Sequence, residues 1–117
     1  MINIQIIEDI SIIEMPQRLG IGFKDEDFTD FKKIMSELTG KFILNLENTK
    51  AIDSSTIGVI LKKYVEYKDK GQEKFIAICN MKNVVKRSLE IIPINKHISV
   101  FDDIESAIAY LKGVEKK

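Results

Sequence analysis

Asp53-Ser54-Ser55-Thr56 sets one carboxylate and three hydroxyls in four consecutive positions, just ahead of an apolar helical run. Residues of these types can cap a helix, accept a phosphate or, with help, attack an electrophile. Attack by a serine requires a base and a group that orients the base. The chain has one histidine, His97, beside a predicted strand, and it could fill only one of those roles. The Gly-x-Ser-x-Gly elbow is missing. One histidine and one cysteine, Cys79, cannot build a thiol–imidazole zinc cluster. There is no Gly-x-x-x-x-Gly-Lys run for a nucleotide phosphate, and the carboxylates show no spacing that singles out a pair. We therefore expect no enzyme, no metal and no cofactor.

Two readings of the hydroxyl cluster remain. Asp, Ser and Thr are ordinary N-caps, yet four capping-type residues in a row exceed what a cap requires. The helix that follows has an unusual outer face. With Ile57, Ile60, Leu61 and Tyr64 turned inward, Ser55, Gly58, Val59 and Lys62 face out. Gly58 costs about 1 kcal/mol relative to Ala in a helix. A glycine beside an exposed Val59 suits a surface on which a partner packs closely. The competing explanation is close packing of Gly58 against a neighbouring strand or loop. Ser54, at the surface and at the positive end of the helix dipole, can be modified without disturbing a core.

The surrounding elements follow from periodicity and punctuation. Ile2 to Ile7 and Ile10 to Met15 are apolar runs split by Glu8-Asp9, which predicts an antiparallel hairpin ended by Pro16. Gly20 and Gly22 mark an irregular connection. A helix is expected from about Asp25 to Leu38, with Phe28, Phe31, Met35 and Leu38 as its buried stripe and Gly40 as its stop. Phe42 to Leu46 reads as a central strand and Ser54 to Lys70 as the second helix, with Val65 also on its apolar face and Gly71 closing it. Glu73 to Cys79 is a further strand. Asn80 would cap a third helix that carries Met81, Val84, Val85, Ser88 and Ile92 on one face and ends at Pro93. Ile98 to Phe101 is a short strand, and Asp102-x-x-Glu105 opens a last helix with Ile104, Ala107, Ile108 and Leu111 inward. Two strands followed by alternating helices and strands predict an α/β fold. Its sheet is mixed and mostly parallel, with about four crossover or packing helices.

Eighteen basic and eighteen acidic residues cancel, so direct binding to nucleic acid is not expected. Lys62, Lys63, Lys68 and Lys70 share one helix, but Glu66 and Asp69 interrupt them, as on a solvated face. The N-terminus lacks the basic start of a secretory signal, and no apolar run reaches the length of a membrane span. One cysteine, in a strand expected to be buried, forms no intramolecular disulfide. These features predict a cytoplasmic protein without membrane contact, one domain over residues 1–117.

The segment from Asn45-Leu46-Glu47 through Ala51-Ile52-Asp53-Ser54-Ser55 to Ile57-Gly58-Val59-Ile60-Leu61 resembles the signature of the STAS family, the anti-sigma-factor antagonists of bacteria. Val84-x-x-Arg87-x-Leu89 and Val100-Phe101-Asp102-Asp103-x-Glu105-x-Ala107 resemble its later helix and its final strand and helix. The resemblance implies phosphorylation of Ser54, with Asp53, Ser55 and Thr56 shaping the switch loop and Gly58, Val59 and Lys62 meeting the partner. It implies an anti-sigma factor with serine kinase activity as that partner. The unmodified protein binds it and frees a sigma factor, phosphorylation blocks binding, and a PP2C-type phosphatase reverses the block. The alternative is a STAS scaffold or docking module that is never phosphorylated. Two departures stand out. Thr56 replaces the family's usual Gly after the two serines, so the backbone there must be helical already or the turn shaped differently. Arg18-Leu19-Gly20-Ile21-Gly22-Phe23 does not align with the family's Gly-x-Leu-Asp element, which implies a remodelled neighbouring surface.

Overall fold

The computed structural model describes residues 2–20, 25–90 and 98–115. Strands β1 (Asn3–Ile7) and β2 (Ile10–Glu14) form the expected antiparallel hairpin. Strand β3 (Arg18–Leu19) is followed by α1 (Asp25–Glu37), β4 (Lys41–Asn45), β5 (Ala51–Ile52) and α2 (Ser54–Asp69). A single 3-10 turn (Glu73–Phe75) leads into β6 (Ile76–Cys79), then α3 (Asn83–Glu90), β7 (Ser99–Phe101) and α4 (Ile104–Lys112). The main sheet runs β1-β2-β4-β6-β7, and every pair after the hairpin is parallel.

The side-chain period of two assigns the faces. Ile13, Phe42, Leu44, Ile76 and Ile78 point to one side, where they meet Phe31 and Met35 of α1, Ile57 and Ile60 of α2, and Val85 and Leu89 of α3. Ile12, Ile43, Ala77 and Cys79 point to the other, where Ala107 and Leu111 of α4 cover them. Strand β4 is buried along its whole length, as a central parallel strand covered on both faces should be. Lys41 at its start is buried, and its ammonium donates to the Leu111 carbonyl near the end of α4.

Several local expectations need correction. Val65 is 52% exposed; five residues beyond Ile60, it has turned about 140° away from it. The buried residues of α2 are Thr56, Ile57, Ile60, Lys63 and Tyr67, with Leu61 and Tyr64 partly buried. Lys63 is buried, with its ammonium 3.4 Å from Glu66 and over the Tyr67 ring. Val84 is exposed. Asn80 does not cap α3: it sits at φ +60 and donates from Nδ2 to Asn45 Oδ1 at 3.0 Å, while the helix starts at Asn83. The cap of α4 is Asp103, one residue later than expected, and its carboxylate accepts from the Ser106 amide at 2.7 Å. Those Ser106 hydrogen bonds hold the Asp103 carboxyl below its ordinary range. The expectations for Gly22, Ile92, Pro93 and His97 lie outside the described residues.

Candidate functional site at the start of helix α2

A second, two-stranded parallel sheet builds the site. Strand β3 pairs with β5, Arg18 opposite Ala51 and Leu19 opposite Ile52. The Lys50 amide donates to the Gln17 carbonyl at 2.7 Å, and the Thr49 hydroxyl donates to the Pro16 carbonyl at 2.9 Å. The loop before α2 is thereby tied to the segment that leaves β2. Two residues of pairing fall below what alternation can reveal, so this sheet had no sequence signal.

Asp53 is the N-cap of α2, with extended backbone at φ −106 and ψ 177. Its Oδ1 accepts from the Thr56 amide at 3.1 Å and also from the Ser55 hydroxyl. The Asp53 amide donates to the Leu19 carbonyl at 3.1 Å, and the Thr56 hydroxyl donates to that same oxygen at 2.9 Å. Thr56 is fully buried. The position is helical, a conformation that a β-branched residue can adopt. Its hydroxyl anchors the first turn of α2 to β3.

Gly20 is the residue that sequence reasoning undervalued. It lies at φ +151, and a Cβ built there would overlap the Asp53 carboxylate. A glycine is needed both for the backbone angle and for the approach of Asp53. Its place in an irregular connection was visible; its contact with a residue thirty-three positions on was not.

Ser54 is the first residue of α2 and is exposed. No hydrogen bond joins its hydroxyl to another described residue. The first turn of α2 contains no acidic side chain. Gly58 is exposed one turn further on, and a Cβ there would have no described neighbour within 4 Å. Close packing against the described residues therefore does not account for this glycine. Val59 is half-buried and packs on the core, so it is less outward than expected, whereas Lys62 is exposed.

The thiol of Cys79 is fully buried at the end of β6. Burial first, and then the negative charges of Asp103, Glu47 and Glu105, push it up to about 12. It contacts Asn45 Oδ1, which also accepts from the Glu47 amide and Asn80 Nδ2, so it belongs to a polar tie between strand ends. Among the described residues, no group of three or more His, Cys, Asp or Glu side chains is placed to hold a metal ion. No helix among them is long and apolar enough to cross a membrane.

The STAS domain family model matches residues 1–107. An anti-sigma F factor antagonist from Paenibacillus polymyxa is 33% identical over 72 residues, a match that covers 62% of this chain and 60% of that relative's length. The structure of a candidate anti-sigma factor antagonist from Thermotoga maritima aligns with a TM-score of 0.79 at 25% identity, over 95% of this chain and 94% of that one. The phosphorylated form of the Bacillus cell fate determinant SpoIIAA aligns with a TM-score of 0.64 at 14% identity, over 93% of this chain and 97% of that one.

Proposed function

Because this chain belongs to the STAS domain family, we propose that it is an anti-sigma-factor antagonist switched by phosphorylation of Ser54. On this reading residues 1–117 act as one STAS-like domain in the cytoplasm. The unmodified form binds an anti-sigma factor that is also a serine kinase, and so releases a sigma factor. Phosphate on Ser54 blocks that binding, and a PP2C-type phosphatase restores it. The protein is a kinase substrate and a binding module.

One observation carries the choice of residue. Of the three hydroxyls at the start of α2, Ser55 is engaged by Asp53 and Thr56 is buried against Leu19. Ser54 alone of the three is exposed with no hydrogen bond to a described residue. A phosphate adds about −1.5 to −2 charges. At a helix N-terminus the dipole and the first-turn amides favour that charge in the free protein. In an interface, beside the Asp53 carboxylate, the same charge is costly unless basic groups meet it. Binding is then lost while the fold is kept.

Incubation with the anti-sigma factor kinase of the same genome and ATP, followed by mass mapping, tests the assignment. One phosphate is expected on Ser54. Ser55→Ala should still accept it and Ser54→Ala should not. Because Asp53 is the cap, Ser54→Ala should cost less than about 0.5 kcal/mol in stability. Phosphate on another residue would overturn the choice of Ser54. No phosphate at all would favour a scaffold that docks without a switch.

A further inference from the structure

A groove of about 420 Å³ lies between α1 and α2, close to Ser54 along the same helix. Met35 and Val59 are the apolar residues of its lining. Lys32 and Lys33 line it from α1, and Lys62 and Lys63 from α2. Among the described residues of the lining, Glu66 is the one acidic side chain, and it stands 3.4 Å from Lys63. The lining therefore carries three more positive than negative charges, in a chain whose formal charge is zero. Lys33 and Lys62 are exposed.

This charge pattern selects an occupant. Among the described residues, the lining holds no aromatic ring for a base to stack on and no arginine to fork onto a phosphate. The ammonium groups come from two helices rather than from one loop that converges on a point. A lining that combines lysines from two helices with apolar residues fits an elongated chain that carries both carboxylates and apolar side chains. We propose that the groove takes an acidic amphipathic segment of the anti-sigma partner, an assignment that rests on the function proposed above. The same geometry explains how the switch acts. Val59 and Lys62 follow Ser54 by about 7.5 and 12 Å along the helix axis, roughly one Debye length at physiological salt. A phosphate on Ser54 sets like charge beside the acidic segment and repels it.

The test titrates the same anti-sigma factor kinase with the wild type and with a K33E/K62E double variant, both unphosphorylated. The exposed side chains should let the variant keep the wild-type melting temperature. Its affinity should fall by about tenfold to a hundredfold. The wild-type affinity should weaken between about 0.05 and 0.5 M salt, and the variant should lose most of that dependence. Wild-type binding with unchanged affinity in the variant overturns the groove assignment and leaves the function standing. No binding by the wild type overturns the function, and the groove assignment with it. Micromolar binding of free ATP to the wild type, lost in the variant, would make the groove a small-anion site and overturn the docking assignment alone.

Discussion

The Thr56 hydroxyl donates to the Leu19 carbonyl at 2.9 Å, inside a site from which water is excluded. That bond joins the first turn of α2 to the short strand β3. Thr56→Val keeps the shape and removes only the hydroxyl. Leu19 O still accepts from the Asp53 amide, so no acceptor is orphaned and the cost should be about 1 kcal/mol. Thr56→Gly also loses packing and helix propensity and should cost about 2 kcal/mol. Urea denaturation of the three proteins checks the order. A Thr56→Gly protein more stable than wild type would mean that this turn prefers a glycine backbone.

Gly58 offers a separation of stability from binding. With no described residue within 4 Å of where its Cβ would stand, Gly58→Ala should stabilise the fold by up to about 1 kcal/mol. If the partner packs on this glycine, the same methyl group should weaken binding. Thermal melts and a binding titration of one variant give both signs. Gains in both stability and affinity would remove Gly58 from the docking face.

Cys79 sets a pH limit. Its thiol ionises near 9 when unperturbed and near 12 in the fold. Above pH 9 the unfolded chain gives up a proton that the folded chain retains, so stability should fall with rising pH between about 9 and 12. Below that window the contribution is fully present. Cys79→Ala should flatten the decline, and the folded wild type should resist thiol reagents at pH 8. Rapid alkylation of the folded protein would contradict the burial that raises this thiol.

The parallel sheet, the hairpin and the faces of α1 and α4 were legible because long apolar periodicity encodes them. The start of α2 at Ser54 was legible because capping-type residues precede an apolar run. What stayed hidden depends on contacts between distant residues. Gly20 is explained only by Asp53, and Thr56 only by Leu19. Asn80 had the chemistry of a cap and instead uses its amide to bridge to Asn45. Lys63 looked like surface charge, yet it is buried with its ammonium over the Tyr67 ring. The basic groove was missed for a related reason: Glu66 and Asp69 break up the lysines of α2 in sequence, whereas α1 adds Lys32 and Lys33 in space.

Ser54 at an exposed helix start makes a direct demand on affinity. Calorimetric titration of the anti-sigma factor kinase with unmodified and Ser54-phosphorylated protein, each with a thermal melt, is the measurement that tests it. Phosphate should weaken binding by about a hundredfold or more, and the melting temperature should stay level or rise slightly through the helix dipole. Ser54→Asp should fold and bind poorly, and Ser54→Ala should bind like the unmodified form. Equal affinities of the phosphorylated and unmodified proteins would contradict the switch.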